Sequence, residues 1–299
     1  MVKMRFHLLV VLIIFLGAFM LGSAFDLNVA TTLFSKNNGF GLFCSAIGTL
    51  PGYMVLAVIG GGAFSLAFRN KEYKTVYKVL LYLLSLIGFG AAIFFSGREF
   101  FSSNSFDIPK LKWLGFLIAV PFAAGSGYLG HLIVKNSTTP YSWLIMCVMA
   151  IAIFLALVPG VTLLKEIFHR PRFRTVIEYD AISFHSWWER CTNYKDLMAE
   201  FSLLKEEFKS FPSGHAGASA VVMLAGVALP LFNKKYLKLQ LPIFYAGFVW
   251  CVFISFTRML VGAHYLSDVS MGALLTVVFS LIMNEVLIAL NSKYYFIKE

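Results

Sequence analysis

Three stretches of the 299-residue chain gather the side-chain types that phosphoryl chemistry needs. The first runs from Lys165 through His169, Arg170 and Arg172 to Phe173. The second is Phe211-Pro212-Ser213-Gly214-His215. The third holds Thr257, Arg258, His264 and Asp268. Lys165, Arg172 and Arg258 have no evident anionic partner in the sequence. A planar guanidinium matches two phosphate oxygens, and an ammonium adds a point charge. Ser213 and Gly214 stand where an apolar helix is expected to start. Free backbone N–H groups and the positive helix end favour an anion there, and Gly214 has no Cβ to keep it away. His264 and Asp268 are four residues apart, so on a helix they share a face. A carboxylate on one imidazole nitrogen fixes the tautomer and leaves the other nitrogen as nucleophile or base. His215 is then a candidate acid for the leaving oxygen. Nucleophile, orienting carboxylate, acid and cationic cradle together predict phosphoryl transfer. No carboxylate cluster suggests a divalent metal, so the expected site uses neither metal nor cofactor.

Each piece also has a plainer reading. Ser213 suits a helix N-cap. Arg258 suits an interfacial side chain reaching for water. His264 and Asp268 suit a structural helix pair. Their joint occurrence, in one order, favours the chemical reading.

The elements that must position these residues are membrane spans. The chain is 59% hydrophobic and only 13% charged, whereas a soluble domain is about a quarter charged. A disordered chain is excluded and a soluble enzyme disfavoured. Spans of about 20 apolar residues are read at 6–25, 46–68, 75–96, 112–134, 142–164, 214–233, 240–258 and 267–290. The expected fold is an all-α, polytopic transmembrane bundle of about eight spans. The first run also resembles a signal peptide, because Lys3 and Arg5 precede it, but it is long for one and fits an anchor better.

The net charge of +10 on a soluble protein would suggest nucleic acid. Here it maps onto topology. With the N-terminus inside, twelve Lys and Arg fall on the inner side with three acids, Glu72, Glu285 and Glu299. The inner set includes Arg69, Lys71, Lys74, Lys78, Lys234, Lys235, Lys238, Lys293 and Lys298. The other side is close to neutral, as the positive-inside rule requires. All three clusters map to that outer side, which places an active site at the outer face. No nucleic-acid partner is expected.

The longest hydrophilic stretch is 165–213. Trp187 and Trp188 suit a membrane interface. Leu197, Phe201, Leu204 and Phe208 follow amphipathic helical spacing, which fits a helix packed on the bundle or one lying in the interface. Cys147 and Cys251 read as core residues. Cys44 and Cys191 share a side, so a bridge between them is open. His169 and His185 read as loop residues, and Arg170 as an aid to the cradle or a head-group contact.

The three clusters resemble the motifs of the type 2 phosphatidic acid phosphatase superfamily: Lys-x6-Arg-Pro, Pro-Ser-Gly-His and Ser-Arg-x5-His-x3-Asp. Lys165 and Arg172 match the first, with Phe173 in place of its proline. Pro212, Ser213, Gly214 and His215 match the second. Arg258, His264 and Asp268 match the third, with Thr257 in place of serine. The similarity covers about 165–268. It implies a metal-independent phosphatase working through a phosphohistidine. In that scheme His264 attacks, Asp268 holds its tautomer and His215 protonates the leaving oxygen. Lys165, Arg172, Ser213, Gly214 and Arg258 bind the phosphate.

Many such proteins have three spans before the first motif, and five are read here. The expected division is 1–140, additional N-terminal spans, and 141–299, the catalytic core. The two additional spans suit a scaffold, an oligomer contact or a substrate wall. The expected substrate is a lipid phosphomonoester or lipid pyrophosphate, such as phosphatidic acid, phosphatidylglycerol phosphate or undecaprenyl pyrophosphate. The expected location is a bacterial cell membrane, with both termini cytoplasmic. Phosphotransfer to another acceptor, anion transport and a haloperoxidase-like oxyanion site are the alternatives. Transport sites lie nearer the midplane than these clusters do. Nothing in the sequence bears on oligomeric state.

Overall fold

A computed structural model describes residues 2–102 and 108–294. Lys298 and Glu299, counted in the charge map, lie outside the described residues. Apolar runs of this length satisfy their backbone inside a membrane by closing helical ladders, and that is what forms. The long helices are α1 (Val2–Leu33), α2 (Gly39–Ile47), α3 (Leu50–Arg69), α4 (Thr75–Phe100), α5 (Lys112–Lys135) and α6 (Ser142–Leu155). Short α7 (Leu164–Phe168), α8 (Phe173–Glu178) and α9 (Tyr194–Glu200) follow. The chain then closes with α10 (Gly214–Ala228), α11 (Leu237–Leu260) and α12 (Leu266–Tyr294). No strand occurs among the described residues. Eight helical segments are long and apolar enough to cross a membrane. The protein is an all-α polytopic bundle.

Two of these segments are interrupted where the site needs it. The second span begins earlier than expected, at Gly39, and breaks between α2 and α3. Pro51 sits in the first turn of α3, where its missing N–H costs no helical bond. The fifth span passes from α6 through a π-helical stretch, Ala156–Leu163, into α7. Pro159 inside that stretch has no N–H and crowds the carbonyl four residues back, so the helix widens there.

α10 forms the centre. It is almost wholly buried and packs against α11, α12 and α3. α1 runs along α12, and α3 lies against both α4 and α5. Small residues such as Ala57, Gly61 and Gly127 let the α3 and α5 backbones approach, the usual mode of helix association in apolar surroundings.

The 169–213 segment folds into a cap with its own small core of Ile182, Cys191, Leu197 and Phe208. This corrects the expected continuous amphipathic helix. α9 stops at Glu200, Ser202 takes φ +53, and a 3₁₀ turn covers Lys205–Phe208. Leu197 and Phe208 bury inside the cap, whereas Leu204 is exposed. Past that break the carbonyls of Glu206 and Glu207 serve Arg172 instead of a helical ladder: its Nε donates to Glu206 (2.8 Å) and its backbone N–H to Glu207 (2.9 Å). The bridge left open between Cys44 and Cys191 does not form, and both are free thiols. One sits in α2 and the other in the cap core.

Candidate active site

His264 sits in the short turn between α11 and α12. Gly262 makes that turn with φ +64, and a Cβ there would fall 2.8 Å from the Phe34 ring, so only glycine fits. The imidazole is 2% exposed. Its Nδ1 lies 2.7 Å from the Ser210 carbonyl oxygen. A carbonyl only accepts, so Nδ1 carries the proton and Nε2 keeps its lone pair. The main chain therefore fixes the tautomer, with the lone pair on Nε2.

This modifies the expected His264–Asp268 pair. The carboxylate lies 3.7 Å from Nδ1, outside hydrogen-bond range. The helical spacing rule fails because α12 starts at Leu266, after His264. Asp268 instead organises the surroundings. Its Oδ2 accepts from the Ser210 hydroxyl (2.5 Å) and the Tyr265 N–H (2.8 Å), and its Oδ1 accepts from Arg170 (2.6 Å). The bond back to Tyr265, just ahead of the helix, is the acidic half of a capping box.

Burial, reinforced by the charges of Lys165, Arg172 and Arg258, holds the His264 imidazole well below its usual pKa, with Asp268 opposing. A neutral imidazole is the nucleophilic form.

The cations are held by neutral oxygens that fix their direction. Lys165 Nζ donates to the Lys209 carbonyl (2.5 Å). Arg172 Nε donates to Glu206, as above. Arg258 Nη1 donates to the Ser45 hydroxyl. His215 Nε2 lies 3.0 Å from the Ser45 carbonyl and 3.7 Å from Glu99 Oε2. Ser45 comes from α2 and Glu99 from α4.

Lys165, Arg172, Gly214, His215 and His264 share the wall of one cavity of about 490 Å³. A Cβ on Gly214 would come within 3.9 Å of the Lys165 side chain. Arg258, Ser213 and Asp268 are not on that wall and are fully buried. Ser213 is the N-cap of α10: its Oγ accepts from the Ala216 N–H (3.4 Å), and its own N–H donates to the Asp268 carbonyl (2.9 Å). Beyond the polar end the cavity wall turns apolar. Leu56 and Ile59 from α3, Leu84, Ile87 and Phe95 from α4, and Ile153, Phe154, Leu157, Val158 and Val161 from α6 and the π-helical stretch line it there. α3, α4, α6 and the π-helical stretch thus extend the wall as an apolar slot that leads away from the cations.

Arg170 does not join the cradle. It is fully buried and spends its fork on Asp268, Asp26 (2.9 Å) and Ser267 (2.9 Å), with Nε on the His185 carbonyl (2.8 Å). Both histidines lie in loops. His169 takes φ +48 and stacks on Tyr194 at 3.7 Å between centroids. Among the described residues no group of three or more His, Cys, Asp and Glu is placed to hold a metal. Sequence reasoning missed Asp26, Ser45, Glu99 and Ser210. Ser210, a hydroxyl just ahead of Phe211-Pro212, was the one with a local signal.

Compared with known families, residues 141–291 match the PAP2 superfamily. The chain belongs to this superfamily. The match begins at α6 and takes in every element that carries the three motifs. Members of the PAP2 superfamily are phosphatases, and membership points to a phosphatase-type activity. Neither the curated proteins nor the solved structures contain a match.

Proposed function

We propose that this protein hydrolyses a lipid phosphomonoester or lipid pyrophosphate at the outer membrane face, through a phosphohistidine on His264. The observation that carries the reading is the shape of the cavity. Its polar end holds His264, His215, Lys165 and Arg172, and the rest of its wall is apolar, lined by residues of α3, α4, α6 and the π-helical stretch. A phosphate on a hydrocarbon chain matches both parts, while a soluble ester matches only one.

The steps follow from the groups present. His264 Nε2 attacks phosphorus, the N–P bond forms, and the P–O bond to the leaving group breaks. His215 gives its proton to the leaving oxygen. Water then attacks the phosphohistidine, giving its proton to His215 and releasing phosphate. Lys165, Arg172 and the Gly214 N–H face the cavity and stabilise the charge on the equatorial oxygens, while Arg258 through Ser45, and Ser213 as the N-cap of α10, back that face from behind the wall. Residues 141–299 are the catalytic core, and 1–140 supply scaffold plus the α4 wall. The inner side, rich in Lys and Arg, faces the cytoplasm of a bacterial cell, with both termini there.

The test is phosphate release from a panel of lipid phosphates and pyrophosphates in mixed micelles, with His264→Ala as the blank. The reading expects release from at least one long-chain substrate and none from the variant. It is overturned if the whole panel is inert.

A further inference from the structure

Asp26 lies at the far end of α1, about 140 residues ahead of the first motif, yet it touches the machinery behind His264. It is 4% exposed. Its Oδ2 accepts from Arg170 Nη2 (2.9 Å) and its Oδ1 from the backbone N–H of Ser267 (2.9 Å). The Ser267 hydroxyl also donates to it. The N–H of Ser267 belongs to the first turn of α12, one of the four that have no partner within a helix. A carboxylate from another helix therefore caps α12 at its positive end. α1 gets this close because residue 22 is glycine: a Cβ there would fall 2.4 Å from the Ser267 nitrogen.

Arg170 is thereby shared. Its Nη1 meets Asp268, its Nη2 meets Asp26, and its Nε meets the His185 carbonyl. A guanidinium fixed on all three sides can meet Asp268 through one oxygen only. The second oxygen of Asp268 stays on Ser210, whose carbonyl orients His264. We propose that Asp26 is a positioning residue for the nucleophile: by sharing Arg170 and capping α12 it keeps Asp268 on Ser210 and so keeps His264 aimed. Without the Asp26 charge, Arg170 is free to grip both oxygens of Asp268, and Ser210 loses its anchor.

The inference rests on the phosphatase reading, and the experiment separates the two. The protein in detergent micelles is assayed on short-chain phosphatidic acid and on a chromogenic phosphomonoester, as the parent chain, Asp26→Asn, Ser210→Ala and the double variant. For Asp26→Asn, kcat is expected to fall about tenfold or more while KM stays within about threefold. The double variant is expected to lose clearly less than the product of the single losses, because both act through Asp268. The proposal is overturned if Asp26→Asn keeps kcat within about threefold of the parent, if KM rises in step with the loss, or if the losses multiply. If Asp26→Asn does not fold, Asp26→Ser, which removes the charge and leaves no added bulk, runs in its place under the same criteria. A parent chain inert on both substrates contradicts the phosphatase reading instead.

Discussion

In the proposed mechanism, the nitrogen of His264 that attacks is chosen by a main-chain oxygen. Ser210 accepts the Nδ1 proton, and burial with three cations nearby keeps the ring neutral. The sign for pH follows. The attacking form is the neutral one, and a lowered pKa extends it to the acid side. The kcat/KM profile should therefore stay flat on going below the ordinary histidine value of about 6.5. An acid limb with its midpoint near that value, measured in a series of overlapping buffers, would contradict this. At this scale the motifs were legible because phosphate chemistry demands those types: Lys165, Arg172, His215 and His264 all reach the cavity wall. Ser45 and Ser210 were not, because their contribution includes a backbone carbonyl, which any residue carries. Asp26 and Glu99 were hidden by distance along the chain, since only the packing of α1 on α12 and of α4 on α2 and α3 brings them to the site.

The elements add reach and rigidity. The π-helical stretch, together with α3, α4 and α6, makes the apolar slot, and Val158 stands on its wall. Val158→Trp should raise KM for a long-chain lipid phosphate by about tenfold while changing hydrolysis of a soluble phosphomonoester by less than about threefold. Equal effects on both substrates would remove the slot from the account. In the cap, Glu207 ties the 3₁₀ turn to α8 through Arg174 and Thr175. Burial pushes its carboxyl up, but the bonds from Arg174 and Thr175 and the charge of Arg172 outweigh that and hold it at about 2. Its contribution to stability is thus present above the ordinary glutamate pKa and is lost as pH falls toward 2. The thermal midpoints of the parent and Glu207→Gln should differ at neutral pH and converge in acid. A constant difference would refute the tie. The spans were legible from hydropathy alone. The break of the amphipathic 197–208 pattern was not, because periodicity registers neither the positive φ of Ser202 nor the use of the Glu206 and Glu207 carbonyls by Arg172. Pro159 was a visible sign of the widened turn that the hydropathy reading passed over.

Over the whole molecule, the PAP2 match covers the second half, while the first half completes the site. α1 reaches Arg170 through Asp26, α2 holds Arg258 and His215 through Ser45, and α4 places Glu99 and one side of the slot. Of the uses open for additional spans, a substrate wall is the one this packing supports. The charge map adds a topology that can be measured. In intact cells, a membrane-impermeant thiol reagent should label Lys195→Cys in the cap and spare Lys235→Cys between α10 and α11, in a background with the four native cysteines replaced. The reverse pattern would invert the proposed orientation. Acid-labile, base-stable phosphate is the signature of a phosphohistidine. Rapid base quench of a turnover reaction, followed by mass spectrometry of the peptide carrying residue 264, should find one phosphoryl group on His264 and none in His264→Ala. Undiminished phosphate release by His264→Ala would contradict the account.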